Sequence, residues 1–460
     1  MKFSYKLLKT FTLVLLIFVT TLSSCKKYVD IDVAPGQLSV ANTYSTDASA
    51  TSAVLGIYSY YPTIYCIGYF SYLGGLEADE LQNTTATAAL EEFSQSAVSN
   101  TNATNSSYLW AYPYQVIRET NLAISGITAS TGMTAAGKTQ LLGEAKFFRA
   151  LMFFNLVNYM GGVPLSINAS ELDNAKLPRS TMAQVYAQII TDLTDAENSL
   201  SATYAGTASA KARVNKWAAA ALLARVYLYT KDYTNAEAQS TLVINSGLYT
   251  LPSLSSAFIN TSTETILQFS TLYGYSAFGS VYRSSTAAAN VAPPAYVLYN
   301  GFTKSFEAGD QRKTSWVDST TYNGAKYYRI NKYKLSTATA GNEYNVVLRL
   351  AEQYLIRSEA RAELANVSGS QADLNVVRNR AGLANTTAST QTDLLTAILN
   401  ERKVELFGEY SHRWFDLKRS GQADAVLSPL KTTWKSTAVL TPIPYNEILL
   451  NSNLTQNPGY

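Results

Sequence analysis

Apolar residues return at helical spacing along most of the chain. Leu141, Ala145, Phe148, Met152, Leu156 and Tyr159 step by four, three, four, four and three, the rhythm of one helix face. Gly161-Gly162 and Pro164 end that helix. The same reading predicts helices over 46–61, where Ala50, Val54, Ile57 and Tyr61 share a face before Pro62, over 110–124, and over 180–200 with Ser180 or Thr181 as cap. Residues 216–229 place Trp217, Ala221, Ala224 and Leu228 on one face, and a second helix opens at Ala236 after a short turn. Leu223, Ala224, Tyr227 and Ala236 match key positions of a tetratricopeptide unit, whose small residues let two antiparallel helices approach closely. A degenerate copy at 350–377, with Ala351, Leu355, Ser358, Ala362 and Ala365 in a stripe, predicts stacked helix pairs. The last stripe runs over 394–421 through Leu399, Leu406, Tyr410, Trp414 and Leu417, with a bend at Gly408.

Two stretches lack this rhythm. Residues 65–105 are polar, aromatic and glycine-containing, and read as loops. Residues 251–347 are rich in Gly, Ser, Thr, Tyr and Pro, with short alternating runs such as 326–333 that read as strands. Inserts of such length in a compact protein usually carry function. From Pro429 onward, with Pro442, Pro444 and Pro458, an irregular segment is expected to wrap the helices.

The chain has 460 residues, 47% hydrophobic and 15% charged, enough to bury a large core. Its first 24 residues hold Lys2, Lys6 and Lys9, an apolar run from Phe11 to Leu22, and Ser23-Ser24 before Cys25, which is the plan of a secretory signal. Without them 33 basic residues face 33 acidic ones. A neutral chain argues against nucleic acid or an anionic membrane surface as main partner. The LSSC sequence ending at Cys25 resembles a bacterial lipobox, which implies cleavage before Cys25, lipidation of its thiol, and an extended tether over 25–45. Cys66 is then the sole remaining cysteine, in an apolar setting that reads as an inert thiol.

Five stretches carry a family resemblance. ERKVELFGEYSHRWFDLKRSG, LLGEAKFFRALMFFNLVNYMGGVPL, RLAEQYLIRSEARAEL, LNVVRNRAGL and the closing TPIPYNEILLNSNLTQNPGY resemble the SusD/RagB family of nutrient-binding outer-membrane lipoproteins of Bacteroidota. The resemblance implies a mainly α fold: a tetratricopeptide-like helix-pair scaffold over 46–250 and 349–421, with a few short strands. It implies one domain over 46–460, with a loop-rich ligand region over 65–109 and 251–347 and a C-terminal wrap over 429–460. It implies a non-catalytic binder, exposed at the cell surface, that captures oligo- or polysaccharides for a SusC-like TonB-dependent transporter. Alternatives are a peptide-binding member of the family and a periplasm-facing tetratricopeptide scaffold.

Candidate chemistry was read beside this resemblance. His412 is the only imidazole, and no GxSxG or HExxH motif accompanies it. No cofactor is implied; Glu77, Asp79 and Glu80 are the candidate ligands for a structural calcium, which accepts carboxylates. The ladder Glu401, Glu405, Glu409 is expected to pair with Arg402, Arg413 and Arg419 rather than to serve glycoside hydrolysis. A sugar binder needs an aromatic plane with polar groups at its edge. Three loop groups supply that mixture: Trp316 with Asp318, Tyr322 and Asn323; Tyr273, Tyr275 and Tyr282 with Arg283; and Tyr69, Tyr72, Asp79 and Asn83. Trp110, Trp217 and Trp414 are read as core.

Overall fold

The computed structural model describes residues 40–60, 64–207, 210–270, 276–282, 293–335 and 342–460. Cys25 and residues 1–39 lie outside them, as do Tyr273, Tyr275 and Arg283. Helix α1 (Asp47–Tyr60) follows the expected boundary. The stretch read as loops, 65–105, is instead largely helical: α2 (Ile64–Glu77), strand β1 (Leu81–Asn83) and α3 (Ala88–Ser94) occupy it before a π-helical turn (Asn105–Ala111). Residues 70–80 are all buried. Because residues 70–77 are buried in unbroken succession, that part of α2 has no polar face, so the spacing that betrays an amphipathic helix was absent.

Helices α4 (Tyr112–Ala129) and α5 (Ala135–Met160) pack on each other, and α5 is buried throughout its second half. Thr134 caps α5 by accepting from the Gly137 N–H. Helix α6 (Met182–Ser199) opens with a full capping box between Thr181 and Gln184. Next come α7 (Lys216–Tyr229), capped by Asn215, and α8 (Tyr233–Ile244). Ala218 to Ala221 and Ala224 are wholly enclosed, which is how α6, α7 and α8 come so near one another.

An insertion separates α8 from the next scaffold helix. It contains strand β2 (Thr265–Phe269), α9 (Ala277–Tyr282), β3 (Tyr296–Leu298), α10 (Gln311–Trp316), β4 (Val317–Tyr322), β5 (Ala325–Ile330) and β6 (Asn345–Arg349). β2 and β6 pair antiparallel, and every residue of both is buried. This clasp ties the two ends of the insertion together, so that α11 (Leu350–Glu363) can pack on α8 as if the chain had continued directly. β4 and β5 form a hairpin; β5 falls on the alternating run 326–333 that reads as a strand, whereas β4 lies on residues read as a loop. Its two-residue turn is Asn323-Gly324, with φ of 47° and 76°, the left-handed pair that a type I′ turn requires.

Helices α12 (Val367–Arg380) and α13 (Gln391–Glu405) complete the array on α11. Buried bidentate ion pairs fasten neighbouring helices: Arg149 to Asp192, Arg225 to Glu352, and Arg357 to Asp373. The last expected stripe is two helices, not one. α13 stops at Glu405 and α14 (His412–Arg419) begins after a tight reversal in which Gly408, Tyr410 and Ser411 have φ of 72°, 40° and 61°. A β-carbon on Gly408 would lie 2.6 Å from the Ile330 side chain. The closing segment carries α15 (Ala423–Leu427) and α16 (Tyr445–Leu450) between irregular stretches.

Candidate functional site

A row of five tyrosine rings crosses the junction of α2, the π-helical turn, α4 and β3. Tyr69 and Tyr72 are one turn apart on α2; Tyr108 and Tyr112 are four apart where the π-helical turn runs into α4. Tyr296 is placed by strand pairing, directly opposite Asn83. Ring centroids follow at 4.5 Å from Tyr296 to Tyr72, 4.7 Å to Tyr69, 3.4 Å to Tyr108 and 5.4 Å to Tyr112. Three of the four contacts are stacked, and Tyr69 is nearly parallel to Tyr108 at 9°. The inner end is enclosed, with Tyr72 4% and Tyr296 8% exposed; Tyr69, Tyr108 and Tyr112 are half-buried. Burial keeps the Tyr72 and Tyr296 phenols far above their usual range, so both remain neutral.

Polar groups border the row. The Asn83 amide donates to Glu91 Oε2 at 3.3 Å, and its oxygen accepts from Thr85 N–H and Oγ1. Glu91 in turn accepts from Gln95. β5 runs beside β3, the strand that carries Tyr296. On the β4–β5 hairpin Asp318 takes a paired bond from Arg329, Asn323 is exposed at the turn, Tyr322 is half-buried, and Lys326 lies 5.1 Å from the Tyr328 ring. Apolar ring faces edged by amides, carboxylates and hydroxyls suit a flat ligand with C–H faces and a polar rim.

Several expected residues face inward instead. Trp316 is 1% exposed; its N–H donates to Leu254 O at 3.0 Å and its ring covers Lys332 and Arg380. Trp316 ends α10, whose Arg312 enters a buried charge cluster, with Glu401 and Glu405 of α13, that the indole then roofs. Tyr282 is 2% exposed and stacks along Phe278. Asp79 is buried between Arg413 and Lys403. Burial pushes its carboxyl up, but the two cations outweigh this and hold it at about 2. Among the described residues no three of His, Cys, Asp and Glu converge to hold a metal ion. Tyr69, Tyr72 and Asn83 are brought together as one group; Tyr108, Tyr112 and Tyr296 were missed. The four-residue spacing of Tyr108 and Tyr112 was a usable signal. Nothing local marks Tyr296, which only the β1–β3 pairing delivers.

The charged ladder is internal as well, but with other partners than expected. Glu405 meets Arg349 at 2.6 Å, Arg312 at 2.9 Å and also Arg380; Glu409 meets Arg349 at 2.7 Å and Lys332; Glu401 meets Arg312 at 2.6 Å and Arg378 at 3.3 Å. Arg402 pairs with Asp416, Arg413 with Asp79, and Arg419 with Asp416 and Glu359. The reversal at Gly408 turns the Glu and Arg sets toward different neighbours. These cations hold the buried Glu405 carboxyl well below its ordinary range against the opposing effect of burial.

Two family models match the chain. One, described as starch-binding and associating with the outer membrane, covers residues 72–228, and that of the SusD family covers residues 282–460. The chain belongs to the SusD/RagB family. SusD-like protein P38 of Formosa agariphila is 24% identical over 98% of both chains, and SusD-like protein P2 of the same organism is 25% identical over 98% of this chain and all of its own. Among solved structures, a laminarin-binding SusD-like protein aligns with a TM-score of 0.76 at 24% identity, over 91% of this chain and 100% of its own. A SusD superfamily protein from Bacteroides vulgatus aligns with a TM-score of 0.79 at 20% identity, over 90% and 99%. On this SusD-like scaffold His412 is sealed inside, 3.9 Å from Glu352, and burial followed by the Arg225 and Arg402 charges keeps it neutral.

Proposed function

We propose that this SusD-like protein is a non-catalytic binding lipoprotein of the outer membrane, anchored through Cys25 and exposed at the cell surface, that captures oligo- or polysaccharides and passes them to a SusC-like TonB-dependent transporter. The observation that carries the reading is the tyrosine row: Tyr69, Tyr108 and Tyr112 are half-buried stacked rings, and the row's inner member, Tyr296, lies opposite Asn83 with its Glu91 partner. Such faces accept sugar C–H groups while the polar rim takes hydroxyls. The laminarin-binding structural neighbour and the starch-binding description of the matching family model point to the same ligand class. The inaccessible His412 and the internally paired Glu401, Glu405 and Glu409 leave the acids of the signature engaged in structure, which favours capture over hydrolysis.

Retention on an array of neutral polysaccharides, with the Cys25→Ser chain as probe, tests the ligand class. Binding without release of shortened product is expected; retention of peptides only, or steady product release, contradicts the reading. Protease accessibility on intact cells tests surface exposure.

A further inference from the structure

A second aromatic surface lies between α15 and the closing segment. A shallow groove of about 700 Å³ is lined by Asp424, Ser428, Pro429, Trp434, Lys435 and Ser436. Trp434 stands edge-to-face against the buried Trp414, with centroids 6.2 Å apart at 88°, which sets the plane of its indole. Its N–H donates to Asp424 Oδ1 at 2.8 Å, and that carboxylate is exposed at the groove. Hydrogen bonds from Trp434 and Ser436 hold Asp424 below the usual carboxylate range, so it is an ionised acceptor at neutral pH.

The groove is tied to the tyrosine row. The Tyr299 hydroxyl, just past β3, donates to Leu430 O at 3.1 Å, and Thr433 Oγ1 donates to Gln95 O at the end of α3. Gln95 bonds Glu91, which bonds Asn83 opposite Tyr296. A fixed indole plane with a carboxylate at its edge and serine hydroxyls nearby matches one pyranose ring: C–H groups lie on the indole, and neighbouring hydroxyls donate to the carboxylate. The carboxylate disfavours an anionic sugar at this point.

We propose that Trp434 and Asp424 form an accessory subsite that holds one neutral pyranose unit of a longer glycan whose main contacts are with the tyrosine row. This rests on the glycan-binding reading above. The test is isothermal titration of the Cys25→Ser chain with a trisaccharide and an octasaccharide cut from whichever of laminarin, starch, xylan or mannan the chain retains. Trp434→Ala is expected to weaken the octasaccharide about fivefold and leave the trisaccharide unchanged. Because the indole also covers Trp414, Asp424→Ala is measured beside it; that side chain is exposed, and the same length-dependent loss is expected. Tyr108→Ala should weaken both lengths. Equal octasaccharide affinity in wild type, Trp434→Ala and Asp424→Ala overturns the subsite while the tyrosine row stands. Equal loss at both lengths, with a lowered melting temperature for Trp434→Ala and no effect of Asp424→Ala, assigns the indole to structure and also overturns it. No retention of any of the four polysaccharides by the unsubstituted chain overturns the functional reading and the subsite together.

Discussion

Around Arg349 three glutamates and further cations meet in a space closed to water, whereas the tyrosine row ends in three half-buried rings, Tyr69, Tyr108 and Tyr112. Both regions hold side chains able to do chemistry. In the charge cluster every carboxylate already has guanidinium or ammonium partners, and removing one would strand the rest. In the tyrosine row the rings stack on one another, and Tyr69, Tyr108 and Tyr112 stay only half-buried. Full internal pairing marks scaffold, and partial exposure of apolar planes marks a place where something else can be held.

The sharpest way to break this contrast is Glu405→Ala. It leaves Arg349, Arg312 and Arg380 with too little negative charge in a buried site, and a loss of about 3–5 kcal/mol in urea unfolding is expected, or failure to fold. A midpoint equal to wild type would remove the cluster from the scaffold. Asp79 tests the same idea through pH. Its pKa is depressed to about 2 in the folded chain, so its contribution is fully present above its ordinary value near 3.8 and is lost as pH falls toward 2. The advantage of wild type over Asp79→Asn in unfolding experiments should therefore shrink by about 2 kcal/mol between pH 5 and pH 2. An unchanged difference contradicts the Arg413 and Lys403 pairing.

Tyr108→Ala addresses the other region. Its ring is stacked between Tyr69 and Tyr112, and about tenfold weaker glycan binding is expected with only a small shift in thermal unfolding. Unchanged titration curves would take the row out of the site. Smallest of all is Asp318→Asn on the β4–β5 hairpin. The pair with Arg329 is partly exposed, so stability should fall by less than about 0.5 kcal/mol in the same urea assay. A larger loss would make the hairpin part of the scaffold.

How far these regions were legible differs for physical reasons. α7 was read to its ends because Trp217, Ala221, Ala224 and Leu228 recur at helical spacing. α2 was missed because its unbroken run of buried residues, 70–77, shows no alternation. Trp316 was placed in a loop from its polar surroundings, yet the charge beneath it, brought by α12, α13 and β5-adjacent Lys332, drew it inward. Tyr69 and Tyr72 were found, while Tyr296 could not be, since it lies more than two hundred residues away and arrives only with the β1–β3 ladder.

Local spacing, caps and the family's signature stretches therefore determined the helix pairs and the family on their own, because periodicity and turn chemistry act between near neighbours. Which carboxylate meets which cation, and which aromatic ring keeps a face to solvent, was decided only when the β2–β6 clasp and the reversal at Gly408 had brought distant segments together. Burial and ion pairing depend on everything that surrounds a side chain, and most of what surrounds these comes from elsewhere in the chain.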